Sequence, residues 1–299
     1  MRSWKLLGSW KLLIGLAAVI TIGLWATGII GSRTPSSGTS TAAHPHDSPS
    51  AGVKSTAPAN ASTTVQPKGR PEFTAMFTGS SLNTSAWATC YPWAAATTGC
   101  TNFGNREYQW YLPDEDHVSR GNLVLAARRI PTAGTDKKGR NKEYGCRSGM
   151  ITSYPSLRFK YGYLQVVAKI PDKAGLWPGL WLAAANGSWP PEIDLLEAWG
   201  ATGKYSAKAG VFFHPAPAGT PQVIGHVSNN LSVGWHTFSL LWTSTQLSWY
   251  IDNHLVLKVT QRVPHQKMYF IADLAEFAKP AAGNCNGSLI IHSVKLWHL

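Results

Sequence analysis

From residue 73 to the end of the chain, no stretch keeps a capped helical period for a dozen residues. Short apolar or alternating runs are instead cut repeatedly by Gly, Pro, Asn and Asp. Asn122–Ala127, Tyr161–Ile170, Thr237–Trp242, Leu247–Ile251, Leu255–Val259, Met268–Ala272 and Leu289–Trp297 read as strands. Their side chains alternate or run apolar over strand-like lengths between turn residues. Asp252-Asn253-His254 joins two of these runs and signals a hairpin. This spacing predicts an all-β sandwich or barrel, and residues 70–299 suit one large sandwich.

The N-terminal part has a different composition. Residues 12–31 carry no charge, and at 1.5 Å per residue they would span about 30 Å, the hydrocarbon thickness of a bilayer. Arg2, Lys5 and Lys11 precede this run, which keeps residues 1–11 cytoplasmic and sends the rest outward. A single-pass signal anchor is expected over 12–31. Ala26-Thr27-Gly28 would be a weak cleavage site, and use of it would leave a secreted protein. Residues 32–69, rich in Ser, Thr, Ala and Pro and without Phe, Trp or Tyr, read as a disordered linker between the membrane and the domain.

The 299 residues carry a formal net charge of +12, which could suggest nucleic acid. Six of the 27 basic residues but only one of the 15 acids precede residue 70, however, and the remaining basic residues are scattered. No stripe and no reader motif accompanies them, so nucleic-acid binding is not expected. The domain contains 11 of the 14 Trp. A sandwich core can absorb part of these, and a Trp-lined groove for the apolar faces of sugars would account for the rest.

Glu192, Asp194 and Glu197 fall within six positions of a chain poor in acids. On a strand, Glu192 and Asp194 share a face, whereas Glu197 reaches it only past a β-bulge. On a helix entered through Pro190-Pro191, Asp194 and Glu197 would form a solvated i,i+3 face. The strand reading has chemical consequences. Three crowded carboxyls cannot all ionise near neutrality without cost, so at least one pKa rises. A protonated carboxyl beside an ionised one is the pair that cleaves a glycosidic bond.

Residues 161–200 (YGYLQVVAKIPDKAGLWPGLWLAAANGSWPPEIDLLEAWG) resemble the core of glycoside hydrolase family 16, which carries Gly-x-Trp-Pro-x-x-Trp-Leu followed by Glu-Ile-Asp-x-x-Glu. Weaker echoes include 105–111 (NREYQWY), 148–153 and 235–252. The resemblance implies a concanavalin-like β-jelly roll with a concave cleft, and retaining, endo-acting hydrolysis of a β-linked polysaccharide, foremost a β-1,3-glucan. Glu192 would be the nucleophile, Glu197 the general acid/base and Asp194 the residue steering proton and charge on Glu192. Trp177, Trp181 and Trp110 would stack on sugar, with Glu107 and His214 as further cleft residues, and His236 reads as structural. The two residues between Asp194 and Glu197 match the laminarinase, agarase and carrageenase branch.

The chain also departs from that pattern. Where relatives place acids that help hold a structural calcium, Ala75–Thr78 and His292–Lys295 supply few hard oxygens. No metal and no cofactor is therefore expected. Met150 occupies a position where relatives often carry Arg, and Leu274–Phe277 one where many have a Gly-rich turn. Cys90, Cys100, Cys146 and Cys285 admit three pairings. The ten-residue spacing and Gly99 favour Cys90–Cys100, leaving Cys146–Cys285 as a long-range clamp. A monomer working on polysaccharide outside the cytoplasm is expected. An envelope-remodelling transglycosylase and a non-catalytic polysaccharide-binding jelly roll are the alternative readings.

Overall fold

The computed structural model describes residues 67–94, 99–105, 107–198, 209–227, 230–277 and 285–299. The expected anchor at 12–31 and all but the last three residues of the expected linker lie outside them. Among the described residues, no helix is long and apolar enough to cross a membrane.

Among the described residues, eighteen strands and one 3-10 turn, Pro113–Glu115, make up the regular structure. In chain order the strands are β1 (Phe73–Met76), β2 (Gln109–Tyr111), β3 (Asp116–Ser119), β4 (Asn122–Ala127), β5 (Thr132–Thr135) and β6 (Asn141–Tyr144). Next come β7 (Cys146–Ser148), β8 (Met150–Thr152), β9 (Gly162–Lys169), β10 (Leu176–Ala184), β11 (Glu192–Ala198) and β12 (Ala209–His214). The last six are β13 (Val223–Val227), β14 (His236–Trp242), β15 (Leu247–Ile251), β16 (His254–Val259), β17 (Met268–Glu276) and β18 (Gly287–Trp297).

Two antiparallel sheets face each other. One runs β16-β15-β14-β9-β18-β4-β3, with β1 continuing the β4 edge of β18. The other runs β13-β12-β11-β10-β17-β8 and carries the acid triplet on β11. Period-two alternation fills the space between them. Leu164, Val166 and Ala168 of β9 meet Leu176, Leu180 and Leu182 of β10, Phe270, Ala272 and Leu274 of β17, and Phe238, Leu240 and Trp242 of β14. The expected sandwich is therefore the observed architecture.

The strands legible in the sequence are those with strong alternation; β4 and β15 coincide with the expected ranges. The hairpin turn is tighter than expected. Asp252 and Asn253 alone form it, at φ 48° and 65°, and His254 already belongs to β16. Two left-handed residues are the geometry that matches the twist of a two-residue hairpin. His236 braces this turn, its Nδ1 2.7 Å from Asp252 and its Nε2 3.0 Å from the Val233 carbonyl. β17 also runs on through Leu274–Glu276, the segment set against the Gly-rich turn of relatives.

Pro178 sits in β10, an interior strand, where proline is normally excluded. Its place explains the tolerance. The β10–β11 ladder begins one residue later, at Gly179↔Glu197, so β11 has no residue paired with Pro178. Disulfides Cys90–Cys100 and Cys146–Cys285, with Cα atoms 5.8 and 6.2 Å apart, match the favoured pairing.

Candidate active site

The bulge that the spacing requires is present on β11. Asp194 pairs with Trp181 and Leu196 with Leu180, so Leu195 is the inserted residue. The register with β12 shifts in the same interval. Leu195 and Leu196 both enter the core, while Glu192, Asp194 and Glu197 share the opposite face. From the facing sheet, the buried Trp249 donates its indole N–H to the Asp194 carbonyl at 2.9 Å. That bond ties the bulge to the core.

Each carboxyl of the triplet has its own neighbours. Trp189 Nε1 donates to Glu192 at 3.2 Å, and Trp177 Nε1 donates to Glu197 at 3.1 Å. His214, paired with Glu192 across β12, brings Nε2 to 3.5 Å from Glu192 and 3.8 Å from Asp194. Asp194 Oδ2 is buried and has no hydrogen-bond partner among the described residues. Burial first, then mutual repulsion, raises these carboxyls. Glu192 is pushed up to about 7 and Glu197 to about 8, and Asp194 is raised well above its ordinary value. Burial also lowers His214, which favours the neutral imidazole.

A fourth acid completes the group. Asp273 of β17 opposes Gly179 and accepts hydrogen bonds from Tyr91 Oη at 2.7 Å and Trp181 Nε1 at 3.2 Å. Burial raises it to about 6, and its charge in turn raises Glu192, Asp194 and Glu197. Gly179 leaves it room, since a Cβ there would lie 2.6 Å from Asp273 Oδ1. The Gly of the Trp-Pro-Gly-Leu-Trp run thus has a steric reason.

Of the sequence-derived cleft residues, Trp177, Trp181 and His214 converge on the triplet. Glu107 is buried beside Asp273 and Glu197, bonded to Gln109 Nε2 at 2.5 Å and the Asn102 amide at 3.2 Å, and burial raises it to about 8. Trp110 lies elsewhere. It is 1% exposed, with its ring 5.1 Å from that of Tyr144 and packed against Gly134, so it offers no face to a sugar. The cause is the parallel pairing of β2 with β7, which buries all three β2 residues. Asp273, Tyr91 and Trp189 were not anticipated. An acid in the apolar run MYFIADLAE and a Trp three residues before Glu192 were the available signals.

Glu192, Asp194 and His214 bring donor atoms within 4.8 Å of one another and could together hold a cation. In a second such group, Cys146, Glu276 and Cys285, the two sulfurs are already joined.

Residues 104–275 match the sequence profile of Glycosyl hydrolases family 16. Two curated relatives from Rhizobium meliloti (strain 1021), Endo-1,3-1,4-beta-glycanase ExsH and Endo-1,3-1,4-beta-glycanase EglC, are 33% and 30% identical over 61% of the chain. The chain spans 40% of the length of each. The laminarinase catalytic domain of Thermotoga maritima MSB8 superposes with a TM-score of 0.64 at 21% identity, over 77% of this chain and 98% of that one. At that identity the likeness concerns the fold, and it agrees with the jelly roll expected from the motif. Bulged triplet, two-sheet sandwich and profile match agree, and the chain belongs to glycosyl hydrolase family 16.

Proposed function

We propose that the domain is a retaining, endo-acting β-glycoside hydrolase acting on a β-linked glucan, with β-1,3 linkages as its preferred bond. The observation that carries this reading is the bulge on β11 that sets Glu192 and Glu197 on one face, each with its own indole donor. Burial raises both carboxyls, Glu192 to about 7 and Glu197 to about 8. A carboxyl raised in this way can hold the proton that a general acid must donate, and its ionised partner is the nucleophile that retention requires. The two Rhizobium relatives, both endo-1,3-1,4-beta-glycanases, support a β-linked polysaccharide as the substrate class.

In the first step a Glu192 carboxylate oxygen attacks the anomeric carbon, while Glu197 gives its proton to the departing glycosidic oxygen. Trp189 holds the attacking carboxylate by its indole N–H and Trp177 orients the acid. Asp194, between them, is raised well above its ordinary value by burial and by both neighbouring carboxyls, and a protonated Asp194 adds no third negative charge to the site. In the second step Glu197, now a carboxylate, takes a proton from water, whose oxygen displaces Glu192 from the anomeric carbon with net retention.

Glu192→Gln and Glu197→Gln should each lower reducing-end release from laminarin by about 10²–10⁴-fold, with melting temperatures no lower than that of the parent. Retained activity in either variant would sink the assignment. Sizing the products of laminarin, lichenan, agarose, carrageenan and xyloglucan fixes the linkage, and products longer than the substrate would point to transglycosylation. Residues 12–31 are proposed to hold the domain at the outer face of a membrane. The test is co-sedimentation of the full chain with membranes after a high-salt wash.

A further inference from the structure

The outer face of the β11 sheet is not open along its whole width. Over β8, β10 and β17 it is covered by a second apolar cluster of Tyr91, Cys100, Tyr111, Met150, Trp181 and Tyr269. Residues 90–94 and Cys100, tied by the Cys90–Cys100 disulfide, pack into this cluster. Met150, where relatives often carry Arg, is fully buried within it, its sulfur 3.8 Å from Cys100 Sγ. The layer over these strands is apolar.

On top of that layer lies Trp93. It is 51% exposed, and its ring stacks on the buried Tyr91 with centroids 4.7 Å apart and planes 13° apart. Below, the Tyr91 hydroxyl is bonded to Asp273, and Asp273 also accepts the Trp181 indole N–H. Trp181 in turn lies 6.2 Å from Trp93 and pairs with Asp194 on β11. A large flat ring left in water costs hydration free energy that burial would recover. Here it is also held in one orientation by stacking, a buried hydrogen bond and a disulfide. A rigid, half-exposed aromatic ring beside a carboxylate site is a surface for the C–H face of a sugar.

We infer that Trp93, on the disulfide-closed loop and stacked on Tyr91, is a glycan-binding platform that takes a β-glucan residue beyond those at the cleavage point. The inference rests on the glucan-hydrolase reading and adds a specificity-determining residue to it. Its position follows from the sheet order. Tyr91 stands over β17, two strands from β11, so at about 4.8 Å per strand the platform lies on the order of 10 Å to one side of the triplet. A chain crossing the strands from Glu192 and Glu197 past β10 reaches Trp93 only beyond the sugars held at the triplet. Short substrates end before it.

The test measures oligosaccharide binding by calorimetry on the full chain carrying Glu192→Gln, which cannot turn substrate over. In that background Trp93→Ala should weaken laminarihexaose about tenfold, a loss of roughly one ring contact, and leave laminaribiose within twofold. Trp93→Leu, which keeps apolar bulk on Tyr91 but has no flat face, should lose the same factor, and Trp93→Phe should recover most of it. In otherwise unaltered enzyme, Trp93→Ala should raise KM on laminarin with kcat preserved. Hexaose affinity unchanged in both the Ala and Leu variants, or hexaose and biose weakened alike, overturns the platform while the glucan reading stands. No binding of either sugar by the Glu192→Gln parent overturns the glucan reading, and the platform with it.

Discussion

Asp273 shows how one side chain can set the state of several others. Its carboxylate, near 6, is ionised at neutral pH and raises Glu192, Glu197 and Glu107 through space. Asp273→Asn keeps an acceptor for Tyr91 but removes that charge, so Glu197 should release its proton more readily. A general acid works only while protonated. The alkaline limb of kcat/KM against pH should therefore move to lower pH in Asp273→Asn; an unmoved limb would remove Asp273 from the electrostatics of the site. Gly179→Ala probes the same contact sterically, because its Cβ would press on Asp273 Oδ1. It should lower kcat/KM on laminarin, measured at the optimum pH of the parent.

β11 is where local pattern and layer packing meet. A strand with its acids at offsets 0, 2 and 5 can present them together only through an extra residue, and Leu195 supplies it at the cost of one disrupted ladder step. Trp249 compensates from the other sheet by bonding the Asp194 carbonyl. Trp249→Phe keeps most of the volume but leaves that carbonyl unpaired in the core, which should cost about 1–3 kcal/mol. For a domain of this size that lowers the melting temperature by roughly 2–10 °C. Calorimetry measures it, and kcat should fall with it because the bulge positions Glu197. The bulge and the shared face of the triplet were legible from residue spacing. Asp273 was not, because β17 follows β11 by 70 residues and only the pairing β10–β17 brings it to the site.

At the scale of the molecule, the site is a source of instability that the sandwich must carry. Glu197 moves from an ordinary 4.5 to about 8 on folding. Between those values the native state holds a proton that the unfolded chain has released, so stability falls as pH rises through this window and levels off above it. Glu197→Gln removes the charge and keeps the shape. At pH 8 it should melt above the parent, and at pH 4.5 the two should coincide. Equal melting at both pH values would show that the carboxyl is solvated in the native state. Against that cost stand a core spanning both sheets and the Cys146–Cys285 link, which ties β7 to the segment leading into β18 across 139 residues.

The sequence by itself determined what depends on near neighbours along the chain. Alternation gave the strands and hence an all-β sandwich, Asp252-Asn253-His254 gave a hairpin, and the offsets of Glu192, Asp194 and Glu197 gave a bulged strand with one acidic face. Ring orientation and long-range convergence were decided only by the tertiary structure. Trp110 belongs to a recognisable motif, but the pairing of β2 with β7 turns it inward, against Tyr144. Trp93 has no motif around it, and it becomes part of the groove because a disulfide and Tyr91 fold its loop onto β17. The physical reason is that side-chain period fixes which residues share a face of a strand, whereas which strand lies alongside depends on how the two sheets pack.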